Sequence, residues 1–418
     1  MSTTKLQTPI LRGGIYSVNF FNGRLLSGED LSQEQAANRE AHRRLGQALG
    51  EGVINGLEVF ESRDISTVST PVVTVTAGLA VNRQGQALAL SSSIDVSLVH
   101  PISATTQTTA AETFGDCAPP QQGVYVAGEG VYLLTIGPAR GAEGRVPVSG
   151  LGNITAACNT RYTVEGVQLR LIQLDVALGD PAHLRNSVAY QCFGMPARQA
   201  FAADPFGPFD PSYGLIDDLR PNRLTECDLP LAVLYWTETG GLQFVDMWSV
   251  RRRLAIQGAN DQWPALIGAR RAGEAEAMLL QFADHIRSIR ARESNLEQIS
   301  ATARFRYLPP VGAIPLSGMR GQRGFEYRKF FQDLTYREPV FVEGARVEPL
   351  LRAALASPPI DLASRELIWL YLVRENIQAI DNQPIGAPQG YLIFASGHMP
   401  DIGDAHYDVN RWSYSNFT

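Results

Sequence analysis

The chain has 418 residues, enough for two or three domains, and its 44% hydrophobic and 19% charged content fits a packed soluble protein and excludes a disordered one. Its 42 acidic residues outnumber 36 basic ones, a formal net charge of −6, which argues against nucleic acid as a partner. No apolar run approaches the ~20 residues that span a bilayer, so membrane contact is expected only indirectly. Residues 1–14 lack the apolar core of a secretion signal, so synthesis in the cytoplasm is expected.

Thirty-eight glycines and 25 prolines imply many turns, hence a β-rich chain. Residues 1–18 read as an extended arm, in which Ile10, Ile15 and Val18 can form a local strand or reach a neighbour. Ser27-Gly28-Glu29-Asp30 is a capping box, with acid at the positive end of the helix dipole. His42, Arg43 and Arg44 sit towards the other end, and Gly50 and Gly52 form the stop. The spacing predicts a helix over 28–49. Its apolar residues are Leu31, Ala37, Ala41, Leu45, Ala48 and Leu49, a thin stripe expected to face inward on a surface helix. Strands follow at 53–60, 72–81, 87–90 and 94–98, with the turn 82–85 closing a hairpin. Residues 1–98 thus form an N-terminal β-rich module with helix 28–49.

Residues 99–257 read as a second β-rich domain. A Thr-, Ala- and Pro-rich loop covers 99–122. Strands are expected at 130–136 and 162–175, separated by a polar, glycine-rich connection over 137–152. That connection is no phosphate loop, because no Gly-Lys-Ser/Thr follows it. A short helix is expected at 181–192, irregular chain over the prolines of 204–211, and a hairpin from 229–236 and 241–248.

Residues 258–303 form a linker and a central helix, 273–300. Ala275, Leu279, Phe282, Ile286, Ile289 and Leu296 make a coiled-coil-like seam, which either packs within the chain or trimerises. Residues 304–418 form a mixed C-terminal domain. It opens with a basic, aromatic stretch (Phe305, Tyr307, Phe325, Tyr327, Phe330 and Phe331 among arginines), read as an inter-subunit surface. Helices are expected at 347–356 and 362–380, the second apolar all round and so a core helix, with a buried strand at 391–395. The fold class is therefore α+β: a β-rich N-terminal region with one capped surface helix, a long central helix and a mixed C-terminal domain.

Chemistry is sparse. Cys117, Cys158, Cys192 and Cys227 lack metal-finger spacing and read as free or buried thiols, with disulfides the alternative. His398 and His406 with Asp401, Asp404 and Asp408 supply the right donors for a divalent ion, but at no recognisable spacing. Glu226 and Asp228 are a weak carboxylate pair for glycoside hydrolysis. His42 lies among arginines on a solvated face. No nucleophile elbow, zincin or kinase pattern occurs. No catalytic residue, metal or cofactor is expected.

Asn19 to Leu26, Glu29-Asp30-Leu31, the arginine-rich helix, Gly52 to Val59, and Val73 to Val81 with Gly85 resemble a recurring N-terminal module of proteins from contractile injection and phage-tail clusters. The layout is similar, more distantly, to the N-terminal shell domain of the type VI secretion baseplate adaptor. The resemblance covers about the first 90 residues, with later family-like pieces at 231–254 and 395–417. It implies a structural, non-enzymatic particle component, at the baseplate or joining it to fibres, a cage or a membrane. The implied partners are other baseplate, tail-tip or fibre proteins and further copies, as a trimer or hexamer. The alternatives are a particle-borne host-attachment or carbohydrate-binding protein and a cell-wall hydrolase. Candidate interface residues are Phe20, Phe21, Arg24, Leu25, Phe325, Tyr327, Trp412, Tyr414 and Phe417.

Overall fold

The computed structural model describes residues 14–23, 25–99, 126, 128–147, 158–195, 214–220, 222–252, 254, 269–317, 323–355, 357–374 and 388–396. The fold is α+β and rich in strands.

Helix α1 (Gly28–Leu49) begins as the capping box dictates: the Asp30 N–H donates to Ser27 Oγ at 3.1 Å, and the Ser27 N–H donates back to the Asp30 carboxylate at 3.0 Å. It stops at Gly50, which has φ 89°. The expected single strand over 53–60 is in fact two, β1 (Gly52–Gly56) and β2 (Val59–Glu61), divided by left-handed backbone at Gly56 and Leu57. The break puts the Leu57 side chain fully into the core, and Arg251 donates to the Gly56 and Leu57 carbonyls at the bend. Strands β3 (Val72–Val75), β4 (Gly78–Val81), β5 (Ala87–Leu90) and β6 (Ile94–Ser97) complete two three-stranded sheets, β1-β4-β5 and β2-β3-β6. The β4–β5 hairpin forms across its expected turn, where Asn82 Oδ1 accepts from the Gln86 N–H at 2.9 Å.

The seat of α1 is set by two glycines. A Cβ on Gly46 would lie 2.1 Å from the Gly85 carbonyl oxygen, and one on Gly85 would lie 2.0 Å from the Arg43 carbonyl oxygen. Helix and hairpin turn therefore meet backbone to backbone. Only Ala37 and Gly46 of α1 are buried. Leu31, Leu45 and Leu49, expected to face inward, point to solvent. The close backbone contact requires glycine at position 46, Ala37 is buried on a different side of the helix, and the leucines are left exposed.

The second sheet runs β10-β9-β7-β8. Its strands are β7 (Gly130–Pro147), β8 (Cys158–Leu174), β9 (Leu229–Thr237) and β10 (Gly241–Asp246). Both faces are covered. Leu134, Ile136, Leu231 and Leu234 join one apolar cluster with Leu57, Val73, Val75 and Leu88. On the other face Val131, Leu133, Val233 and Tyr235 pack on α2 (Pro181–Cys192), through Leu184 and Val188, and near the short α3 (Leu215–Asp218). Burial on both faces explains the continuous apolar run of β9. Residues 137–147, expected as a loop, continue β7: pairing runs from Val131↔Leu174 to Pro147↔Cys158, with Gly144 at φ 70°. Cross-strand hydrogen bonds hold a polar, glycine-bearing sequence extended where its own propensity would not. Beyond Ala139 this ribbon is solvent-exposed.

Helix α4 (Ala269–Arg292) ends earlier than expected, and a 3-10 turn follows at Leu296–Gln298. Its seam packs within the chain: Phe282, Ile286 and Ile289 meet Phe305, Ile314 and Phe394. The C-terminal sheet is β12-β16-β15-β13, with a small β11-β14 pair beside it. These strands are β11 (Tyr307–Leu308), β12 (Val311–Pro315), β13 (Val340–Glu343), β14 (Ile360–Asp361), β15 (Ile368–Arg374) and β16 (Pro388–Ser396), with helices α5 (Tyr327–Phe330) and α6 (Val347–Ala354). The expected core helix over 362–380 is instead strand β15 in its central, described part. Ile368 and Leu370 enter one core while Trp369, Tyr371 and Val373 enter another, so an all-round apolar run serves a strand buried on two faces. Cys192 is a free, buried thiol, whereas Cys227 is disulfide-bonded, which corrects the reading of four thiols.

Gly46→Ala should destabilise the protein by about 1–3 kcal/mol, because a backbone contact must open. Gly273→Ala, at a helical site with nothing within 4 Å of the new Cβ, should stabilise it by roughly 0.5–1 kcal/mol. Urea unfolding of both variants checks the pair.

Candidate interaction surface

The groups best suited to chemistry lie inside, between α2, β10 and α4. Arg185 Nε donates to Asp246 Oδ2 at 2.9 Å, with side chains only 7% and 2% exposed. Gln281 Nε2 donates to the same carboxylate at 3.1 Å, as does the Ser249 N–H. Arg185 also reaches Ser288 Oγ at 3.2 Å, and Trp248 Nε1 donates to Asp284 at 2.6 Å. On the far side of α2, Asn186 Oδ1 accepts from the N–H groups of Arg306 and Tyr307 at 2.8 and 3.1 Å. One short helix thus holds the second sheet, the central helix and the C-terminal region together.

Near this node lie Cys192, Tyr190, Tyr307 and His285. Burial, then Asp246, pushes the Cys192 thiol and the Tyr307 phenol up. Burial, then Asp361, raises Tyr190. Burial, then Arg185, Arg304 and Arg292, holds the His285 imidazole well below its ordinary 6.5. Every shift favours the neutral form, whereas a working thiol needs the reverse.

A second polar network surrounds Glu51, just after α1. Arg83 Nε lies 2.9 Å from its carboxylate, Arg220 3.7 Å and Arg252 3.9 Å. Asp217 pairs with Arg83 at 3.1 Å, and Glu226 lies 3.5 Å from Arg220. Burial, then Arg83, lowers the Arg220 pKa. Glu226 is therefore engaged here. Asp228 belongs elsewhere, in a buried pair with Arg170, and accepts from the Thr225 N–H at 2.9 Å. The two carboxylates weighed as a hydrolytic pair are committed to different arginines.

The outer face is different in kind. Tyr16, Phe20, Phe21, Leu25 and Leu26 are 72%, 50%, 63%, 94% and 54% exposed, and Leu31, Leu45 and Leu49 of α1 are exposed as well. The arm is tied to α1 where the Val18 N–H donates to Glu34 at 3.1 Å. The ribbon reaches α1 from the second sheet, with Glu165 3.3 Å from Arg39 and 3.4 Å from Arg140.

Phe20, Phe21 and Leu25 are each exposed, and Arg24 lies outside the described residues. Phe325 is fully buried against Phe330, so it offers no surface, and Tyr327 is half-buried with its hydroxyl 3.0 Å from Glu338. Phe305, Tyr307, Phe330 and Phe331 are buried too, so the expected basic and aromatic interface is core, with its aromatics inside. Trp412, Tyr414, Phe417, His398, His406 and Asp404 lie outside the described residues. Among the described residues, no group of three His, Cys, Asp or Glu could hold a metal ion. Sequence reasoning missed Tyr16, Leu26, Leu31, Leu45 and Leu49 as surface residues. Gly46 on the helix and Gly85 in the turn were the available signal that the close-packed side was another one.

No protein-family model matches the chain, and no curated protein matches it. Among solved structures, a crystal structure of TssK is similar at TM-score 0.20 and 10% identity, over 49% of this chain and 53% of that one. The chain spans about half the length of that structure, and at this score a shared fold is not established. Among the described residues, no helix is long and apolar enough to cross a membrane.

Asp246→Ala should cost about 3–5 kcal/mol, because Arg185 would be left buried without its partner, and denaturant unfolding measures it. His285 has its folded pKa depressed, so the unfolded chain binds more protons below pH 6.5. Its contribution is fully present above that value and is lost as pH falls through 6.5 towards the folded pKa. His285→Gln should flatten the fall in stability below pH 6.5 when unfolding is followed from pH 8 to 5.

Proposed function

We propose that the chain is a structural, non-enzymatic subunit of a contractile injection or phage-tail-like particle. It sits at the baseplate or joins the baseplate to fibres, a cage or a membrane. What carries the reading is the apolar surface of the arm and α1. Exposed large apolar side chains of this kind are what a protein contact covers, and they lie on the same first 90 residues whose motifs resemble the particle module. The ionisable clusters support it as well, since they are sealed inside or neutralised by arginines. The partners are neighbouring baseplate, tail-tip or fibre proteins and further copies of the chain, in a trimer or hexamer.

A native pull-down of the tagged chain, with mass spectrometry and negative-stain microscopy, should return sheath, tube and baseplate proteins with label at one particle tip. A small complex free of those proteins would overturn the reading.

A further inference from the structure

The disulfide of Cys227 has a partner that the backbone identifies. Cys227 is disulfide-bonded within the chain and only 2% exposed. The sequence holds four cysteines, and Cys192 is a free thiol. Cys117 and Cys158 are left as candidates.

The register of the β7–β8 ribbon excludes Cys158. Cys227 sits at the base of the ribbon. Leu229, just beyond it, pairs with Ile136, and a Cβ on Gly137 would lie 3.7 Å from the Cys227 carbonyl oxygen. Cys158 starts β8 at the far end, opposite Pro147. The run of β7 from Gly137 to Pro147 is about 30 Å long at about 3.3 Å per residue. A disulfide needs its two Cα atoms within about 7 Å of each other.

The seat of Cys227 is built without help from the bridge. Asn82 Nδ2 donates to its carbonyl at 3.1 Å, and its own N–H donates to Thr225 Oγ1 at 3.3 Å. The residues on either side, Glu226 and Asp228, pair with Arg220 and Arg170. Asn82 belongs to the β4–β5 turn, so the N-terminal module and the second sheet meet at this point.

We infer that Cys227 is bridged to Cys117, and that the bridge pins the connection between β6 and β7 to the start of β9. Cys117 lies outside the described residues, and it is the one cysteine that the other three leave. The bridge closes a loop of roughly 110 residues that holds β7, β8, α2 and α3, and a loop of that length restricts the unfolded chain strongly. It forms by exchange with a low-molecular-weight disulfide such as oxidised glutathione. One cysteine thiolate attacks that disulfide and displaces a thiol, and the other attacks the mixed disulfide and displaces a second. The two cysteines are oxidised by two electrons, and those electrons and both protons end on the two released thiols. The bridge does not depend on the reading of the chain as a particle subunit, and its failure would leave that reading untouched.

The test is a thiol count on the full chain, equilibrated in a glutathione redox buffer, freed of small thiols and unfolded in denaturant without reductant. The unmodified chain should show two thiols and Cys158→Ser one, whereas Cys117→Ser and Cys227→Ser should each show three. A tryptic digest of the unmodified chain, with its free thiols blocked, asks the same question without a variant, because the four cysteines fall in four different peptides. Residues 84–140 should be joined to residues 224–251. Reductant should lower the thermal midpoint of the unmodified chain by several degrees. It should leave Cys227→Ser where it is, and that variant should fold because its backbone seat does not need the bridge. Peptide 224–251 joined to 146–161, three thiols in Cys158→Ser, four in the oxidised unmodified chain, or the same reductant shift in both proteins would overturn the inference.

Discussion

The buried ion pair of Arg185 with Asp246 organises the junction of α2, β10 and α4. Neither charge has solvent access, and an isolated charge there would be untenable. Each is satisfied only when α2, β10 and α4 are all in place, because Gln281, Ser249 and Ser288 supply the remaining hydrogen bonds. The pair specifies an arrangement more than it adds stability, since apolar residues of similar volume could have filled the space. Asn186 and His183 extend the same logic outward from α2: the first anchors the Arg306 and Tyr307 backbone, and the second meets the Thr302 carbonyl at 2.7 Å. The twelve-residue α2 couples the second sheet to the C-terminal region, beside the direct bonds of Gln281 to Asp246 and Trp248 to Asp284.

The central helix has two working faces. Phe282, Ile286 and Ile289 serve the C-terminal core, while Gln281, Asp284 and Ser288 serve the polar node. A seam that resembles an oligomerisation device is thus consumed inside the chain. Exposed apolar side chains remain on α1. That helix is seated by glycine against a hairpin turn and keeps its leucines outside.

Much of this was legible locally. The capping box of Ser27 and Asp30, the Gly50 stop, the β4–β5 turn at Asn82 and the β9–β10 hairpin each depend on a few adjacent residues, and the structure has them where the sequence put them. What was not legible depends on partners distant in sequence. Residues 137–147 extend because β8 pairs with them. The apolar run of β15 fits a strand and a helix equally well until two cores are present, one on each side. Phe325 and its aromatic neighbours look like a surface in a linear reading. They become core because α4 and β16 close over them.

By itself, then, the sequence determined element boundaries set by caps, turns and glycine, the acidic balance, and the lack of any catalytic spacing. Those are properties of short windows, where backbone dihedrals and nearest hydrogen bonds decide. Only tertiary structure decided which side of each element is inside. Periodicity marks an apolar side without saying what covers it, and for α1 the close contact of Gly46 with Gly85 outweighed the leucine stripe. Burial is a property of the assembled layers, and a helix can bury its small residues when backbone must approach backbone.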